Sequence, residues 1–310
     1  MHVHGVIPAI GTPLGQNDRV DVPALRKLNQ YLLSAGVNGV FANGSMGGFA
    51  FLTDDEQIRS IETTVSEASG SVPVFGGLGA TSTSRALPLL RRIAATGVDF
   101  ICALPPFFFL ASQQQLINYF TGIAAATDKP LVLYDNPILT KNPIHVDTIA
   151  SLFEQIPHLA GIKVSDPDQV KLQAITRMAE NKPGFFVLTG NELLLVSGLQ
   201  MGCDGFVGGL YNVCPHLAVN LYQAFRRGDL KEAVQLQNDI AAVWEIFRYG
   251  SVWGGFDEAL RYLAICQRAT GMPYVTDLSE AERESVHNIL RLYVQPYLES
   301  AVVEQEGVPT

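Results

Sequence analysis

Eight times along the first 226 residues, a short β-rich apolar run is followed by a helix-length amphipathic segment, and that alternation leaves few folds open. The runs are Val6 to Ile10, Gly39 to Ala42, Val72 to Phe75, Phe100 to Ala103, Leu131 to Tyr134, Gly161 to Val164, Phe186 to Leu188 and Gly205 to Val207. Strands joined through helices are parallel, because a helical crossover returns the chain to the end from which it started. The intervening helices are expected to begin near Val22, Thr53, Thr83, Ser112, Val146, Asp168 and Glu192, with an eighth after Pro215. Thr53-Asp-Asp-Glu56 has the pattern of a capping box, in which a Thr N-cap and a Glu three residues later each satisfy an orphan amide. Eight βα units in this length predict an α/β chain closed into a (β/α)8 TIM barrel over residues 1–226, rather than an open doubly wound sheet. Beyond it, helical patterns over Leu230 to Tyr249, Asp257 to Ala269 and Ser279 to Leu298 predict a C-terminal helical extension, 227–310, packed on the barrel. Glu304 to Thr310 has the composition of a frayed tail.

Charge and cysteine usage narrow the partners. A net charge of −9 without any cluster of Lys or Arg argues against nucleic acid and against an anionic membrane. The longest apolar stretch, Phe100 to Ala111, is too short to span a bilayer and contains Pro105 and Pro106. No basic-then-apolar signal segment opens the sequence, so a cytoplasmic protein is expected. Cys102, Cys203, Cys214 and Cys266 lack CxxC spacing and sit in apolar segments, which points to buried thiols rather than disulfides or zinc ligands. The six histidines show no metal-ligand spacing beyond His2-Val-His4, read here as a terminal strand face, so no metal is expected. Gly77-Leu-Gly79 lacks the third glycine of a dinucleotide turn, and no glycine-lysine phosphate cradle occurs.

In a barrel of this kind chemistry collects at the carboxyl ends of the strands, and Lys163 lies there, in Leu159-Ala-Gly-Ile-Lys-Val-Ser165. Burial disfavours an ammonium, and a neutral lysine amine can attack a ketone to form a Schiff base. The alternative is a strand that ends early and leaves the amine in solvent. Other strand ends supply possible company. Asn43-Gly-Ser-Met-Gly-Gly48 combines glycines, which let backbone amides approach a ligand, with the Ser45 hydroxyl, and suits a small anion such as a carboxylate as well as an ordinary βα turn. Tyr134-Asp-Asn-Pro137 offers a phenol for proton transfer, or simply a core tyrosine. Gly190-Asn-Glu192 is polar and acidic, and equally compatible with a helix N-cap. An amine, a phenol and an amide-rich turn on three strand ends describe a Schiff-base site.

Gly44-Ser-Met-Gly47, Gly76-Gly-Leu-Gly-Ala80, Tyr134-Asp-Asn-Pro137 and Gly161-Ile-Lys163 together resemble, in order and spacing, the dihydrodipicolinate synthase and N-acetylneuraminate lyase family. The resemblance implies a usually tetrameric (β/α)8 barrel with a C-terminal helical region, which joins or cleaves 2-oxo acids. It further implies that Lys163 is the Schiff-base lysine, Tyr134 the proton shuttle, and Gly44, Ser45 and the Met46 amide the cradle for a carboxylate. Leu139, Asn191, Glu192 and Val207 are expected around the rest of the substrate. The expected partners are a small-molecule 2-oxo acid and an aldehyde, with a homo-oligomer, tetramer or dimer, as the assembly. No cofactor is expected beyond the covalent Schiff base at Lys163.

The departures from the family pattern bear on substrate. Dihydrodipicolinate synthases ordinarily carry an Arg where this sequence has Leu139, and a second Tyr where it has Phe108 in Pro105-Pro-Phe-Phe-Phe109. The usual turn Thr is Met46, and Gly48 replaces the usual Glu. Relative to sialic acid lyases Leu139, Asn191 and Glu192 fit better, yet the polar residue those carry after Gly208 is Gly209 here. A distal pocket formed by Phe107 to Phe109, Leu139 and Phe49 is expected, with an acceptor less polar or smaller than a sugar acid. Two alternatives remain: a 2-keto-3-deoxy sugar acid dehydratase using the same Schiff base, and a barrel that binds a 2-oxo acid without turnover.

Overall fold

The computed structural model describes residues 3–299. Eight parallel strands, β1 (Gly5–Pro8), β2 (Val40–Ala42), β3 (Val74–Leu78), β4 (Phe100–Ala103), β5 (Leu131–Asp135), β6 (Leu159–Val164), β7 (Phe186–Thr189) and β8 (Gly205–Gly208), form one sheet in the order 1-8-7-6-5-4-3-2. The remaining seam, between β1 and β2, is joined by a parallel bridge from Ala9 to Phe41 and a 2.9 Å bond from the Ile10 amide to the Phe41 carbonyl. This is the expected (β/α)8 TIM barrel. Asn212 reinforces the ring from the other side of β1. Its buried amide accepts from the Gly11 N–H at 3.0 Å and donates to the Ala9 and Gly209 carbonyls at 2.8 and 2.6 Å.

The helices are α1 (Val22–Ser34), α2 (Asp54–Ala68), α3 (Thr83–Ala95), α4 (Gln113–Ala124), α5 (Pro137–Thr140), α6 (Val146–Gln155), α7 (Gln169–Ala179), α8 (Leu195–Gln200), α9 (Pro215–Arg227), α10 (Leu230–Trp244), α11 (Trp253–Tyr262) and α12 (Glu280–Tyr293). The box expected at Thr53 is half made: Thr53 Oγ1 accepts from the Glu56 amide, but the Glu56 carboxylate turns away to the Val20 amide at 2.7 Å and toward Arg59. Complete boxes occur instead at Ser112 with Gln115 and Ser279 with Glu282. Several expected boundaries also move, β1 ending at Pro8 rather than Ile10 and β6 starting at Leu159 rather than Gly161 among them. The seventh barrel helix starts at Leu195 rather than Glu192, because Asn191 and its neighbours first make a turn; the segment placed over Asp257 to Ala269 is helical over Trp253–Tyr262; and β3 runs on to Leu78. His2 and the tail from Glu304 to Thr310 lie outside the described residues.

Strand side chains alternate between the two faces of a sheet. Here the alternation separates two cores. Leu131, Leu133, Ile162, Val164, Val187 and Phe206 face the helical ring, while Val132, Tyr134, Leu188 and Val207 join Ile7, Phe41, Phe75, Phe100 and Phe186 inside the barrel. Lys163, between Ile162 and Val164, therefore points inward. No helix among the described residues is long and apolar enough to cross a membrane.

Candidate active site

Tyr134 and Lys163 are register partners on adjacent strands, so their side chains project side by side at the carboxyl end of the barrel. Lys163 is only 4% exposed. Its Nζ lies 4.0 Å from the centroid of the Tyr134 ring and 5.0 Å from that of Phe41, and those two rings meet edge to face. The alternative of an early strand end with the amine in solvent is thereby removed: β6 continues through Val164 and the amine is enclosed by aromatic faces.

The phenol oxygen of Tyr134 is held from two directions, by Ser45 Oγ at 3.0 Å and by Asn136 Nδ2, which donates to it at 3.1 Å. Burial is the largest influence on this phenol and pushes its pKa up. The charge of Lys163 and the hydrogen bonds from Ser45, Lys163 and Asn136 together outweigh it and bring the phenol below the ordinary tyrosine value.

The turn that carries Ser45 is fixed from beneath. Asn43 takes a left-handed conformation at φ 60°, and its amide donates to the Gly77 carbonyl and to Gln57 Oε1, both at 2.9 Å. Gln57, buried on α2, passes the constraint on by donating to the Phe49 and Leu52 carbonyls. The close approach needs Gly77, where a Cβ would fall 2.1 Å from the Asn43 carbonyl oxygen. Among the described residues, the amides of Ser45 and Met46 donate to no protein acceptor, so they are free to receive an anion.

A cavity of about 390 Å³ opens over Lys163. Of the residues expected at the site, Ser45, Met46, Tyr134, Leu139, Lys163, Glu192 and Val207 lie on its wall. Gly44 and Asn191 do not. Gly44 is packed on the Phe41 ring, where a Cβ would meet Cε1 at 2.9 Å, and the Asn191 side chain is occupied in its own turn, accepting from the Leu193 amide at 3.2 Å. The expected aromatic distal wall is also rearranged. Phe108 and Phe109 stand on the surface at 82% and 74% exposure, while Phe49 and Phe107 line a neighbouring cavity.

The distal wall is instead made by Ile138 and Leu139 on α5 and by Phe247, Ser251, Val252 and Trp253, where the C-terminal extension crosses the barrel mouth. Leu139 was expected there, but sequence reading missed Phe247, Ser251, Val252 and Trp253, because nothing local marks where the extension folds back. The fold-back constrains Val252, which adopts φ 75°, a region that β-branched side chains rarely occupy. Asn136, by contrast, was visible within Tyr134-Asp-Asn-Pro137 without its direction being readable.

Glu192 supplies the cavity's carboxyl group. Its Oε1 accepts from the Leu210 amide at 2.8 Å. Burial pushes its pKa up, against the opposing pull of the Leu210 amide, the Lys163 charge, the Gly209 amide and Trp244. The site thus joins an amine, a phenol, a hydroxyl, two unused amides and a carboxyl within one largely apolar cavity, an arrangement suited to carbonyl addition and proton transfer.

Comparison with known proteins agrees with the fold. A sequence profile of the Dihydrodipicolinate synthetase family matches residues 2–292. The 4-hydroxy-tetrahydrodipicolinate synthase of Methanopyrus kandleri is 34% identical over 240 residues, which is 77% of this chain and 79% of that protein. A probable 2-dehydro-3-deoxy-D-pentonate aldolase of Escherichia coli is 27% identical over 92% of this chain and 96% of its own length. Among solved structures, YagE, a prophage protein of Escherichia coli K12 determined in complex with pyruvate, superposes with a TM-score of 0.88 at 25% identity, covering 94% of this chain and 98% of that one. From barrel, site and sequence together, the chain belongs to the dihydrodipicolinate synthetase family and is a lyase of the aldolase type.

Proposed function

We propose that this protein joins or cleaves pyruvate, or a related 2-oxo acid, and an aldehyde through a Schiff base on Lys163. The Lys163 amine adds to the keto carbon, and loss of water leaves an iminium that acts as an electron sink. Loss of a C3 proton gives an enamine, whose C3 then attacks the aldehyde carbon. The resulting alkoxide is protonated, and water hydrolyses the iminium to free the amine; cleavage runs the same steps in reverse. Tyr134 carries the protons, with Ser45 Oγ 3.0 Å from its oxygen as the next station. The Ser45 and Met46 amides receive the carboxylate and so orient the keto carbon toward the amine.

The observation that carries this reading is the enclosure of Lys163 Nζ against the Tyr134 ring at the open end of the barrel. Support comes from YagE, a similar protein crystallised with pyruvate. Borohydride reduction in the presence of pyruvate is expected to add the reduced pyruvyl mass to the peptide containing Lys163, and Lys163→Ala to abolish the adduct. Label on any other lysine, or none, overturns the assignment.

For the acceptor, the cavity wall offers Ile138, Leu139, Phe247, Val252 and Trp253, and the ionisable side chains on it are Tyr134, Lys163 and Glu192. With Lys163 committed to the 2-oxo acid, no cation remains there for an acceptor carboxylate. We therefore assign an uncharged aldehyde, less polar than a sugar acid; a panel in which anionic or sugar acceptors react best would refute it. One observation favours a second reading. Glu192 places a carboxyl on the cavity wall, where a 2-keto-3-deoxy sugar acid dehydratase requires a group to protonate the departing hydroxyl, and product analysis distinguishes water loss from carbon–carbon cleavage.

A further inference from the structure

We infer that Asn136 is a positioning residue for proton transfer: its side-chain amide, donating to the Tyr134 oxygen, sets the direction in which that phenol passes its proton. The inference rests on the Schiff-base reading above and deepens it.

The hydrogen-bond inventory carries the argument. A phenol has one O–H to donate, and Asn136 Nδ2, at 3.1 Å, has only N–H bonds to give. Tyr134 must therefore accept from Asn136, so its own proton is directed to Ser45 Oγ at 3.0 Å, to the Lys163 amine when that is neutral, or to a molecule in the cavity. The surroundings favour this orientation of the amide. Its Oδ1 faces the Leu139 N–H at 3.4 Å, as N-cap of α5, and a flipped side chain would set two donors against each other there. Thr140 holds the same residue from the main chain, its Oγ1 donating to the Asn136 carbonyl at 2.9 Å. Asn136 is buried, lies on the cavity wall, and begins the short helix that presents Ile138 and Leu139 to the acceptor side. One side chain thus fixes both the phenol and the wall beside it.

When Tyr134 gives up its proton, the amide still donates, now to an anionic oxygen. Hydrogen bonds to charged groups are worth more than neutral ones, so Asn136 favours the ionised phenol over the neutral one. The other charged or titratable groups around this phenol are Lys163 on β6, Cys102 on β4, whose thiol burial pushes up to about 12, and Glu192 beyond β7. None of them is altered in the variants below.

Asn136→Ser and Asn136→Asp both keep an oxygen that can cap the Leu139 amide and both remove the amide donor, the serine hydroxyl being the shorter side chain; the first adds no charge. Deuterium uptake at C3 of pyruvate in D2O, followed by NMR across pH, reads proton transfer without any aldehyde, and borohydride trapping reads Schiff-base formation. The expected result is a wild-type yield of trapped adduct in both variants. Exchange near neutral pH should fall about 10–100-fold, as for loss of a hydrogen bond to a charged group, with its rising limb displaced to higher pH. An unchanged pH profile with the adduct intact overturns the inference. Loss of the adduct together with exchange overturns it too, since Asn136 would then support the site as a whole. Wild-type protein that traps no pyruvate at Lys163 sinks the Schiff-base reading itself, a distinct failure seen before any variant is made.

Discussion

The Met46 side chain fills the space that any side chain at Gly209 would need: a Cβ there would lie 2.5 Å from Met46 Cγ and 2.8 Å from Sδ. Both residues line the cavity, and the pairing accounts for two departures from the family pattern at once, a longer residue in the turn after β2 and a bare backbone after β8. Gly209→Ser alone should displace Met46 and lower turnover, whereas Met46→Thr with Gly209→Ser should recover much of the loss. The double variant should also shift preference toward hydroxylated aldehydes. A double-mutant cycle on kcat/KM is expected to give a coupling of about 0.5–3 kcal/mol; additive effects would remove the proposed compensation.

Tyr134→Phe keeps the ring that lies 4.0 Å from Lys163 Nζ and removes the oxygen bonded to Ser45 and Asn136. Pyruvate trapping should persist while turnover falls about 10²-fold, the scale for losing a proton-transfer group. Equal rates for the variant and the wild type would falsify the shuttle role.

Lys163 and Tyr134 were legible because an amine and a phenol at the ends of apolar strands are costly to bury without use, and strand periodicity fixes the face to which each belongs. What sequence could not supply was long-range closure. Phe247 and Trp253 reach the cavity only because the C-terminal extension folds back over the mouth, and no local pattern encodes that return. The third strand runs past its expected end at Phe75 to Leu78 through two glycines, and Gly77 is where the Asn43 carbonyl must pass. Glu56 misled, its spacing fitting a box while a more distant amide, that of Val20, claimed the carboxylate.

Behind the catalytic face, Asp135 is fully buried on the outer side of β5, ion-paired with Lys171, which also meets Asp166 at 2.9 Å. Burial pushes the Asp135 pKa up, and the Lys171 charge and the Ile144 amide oppose it. Lys171→Met should therefore cost about 3–5 kcal/mol near neutral pH, the usual result of stranding a buried charge. Asp135→Asn in the same chain, which can still accept from the Ile144 amide, should restore most of it. The sign of the pH dependence follows. With Lys171 gone the folded-state pKa of Asp135 lies above its unfolded value, so proton binding by the native state offsets the loss at low pH and the offset disappears as pH rises through the folded value. Urea midpoints that are equal for wild type and Lys171→Met at pH 7 would contradict this account.

The buried thiols are expected to lower stability at alkaline pH. Cys102, Cys203 and Cys266 are pushed by burial from 9.0 up to about 12, and all three are free. A thiol whose pKa is higher in the folded than in the unfolded chain contributes stability that is complete below the unfolded value and is lost as pH climbs through the folded one. Unfolding free energy should accordingly decline from about pH 9 toward pH 12, as the unfolded chain releases protons that the native chain retains. Lys171 adds to the decline above 10.5, its raised pKa holding a charge whose partner is Asp135. Replacing the three cysteines by alanine should lower stability at pH 7 through lost packing and yet flatten the fall between pH 9 and 12, because three of the groups that drive it are gone. Denaturant titrations at fixed pH values across this window measure the slope directly, and an equally steep decline in the triple variant, which keeps Cys214, would assign the effect to that thiol and the buried tyrosines instead.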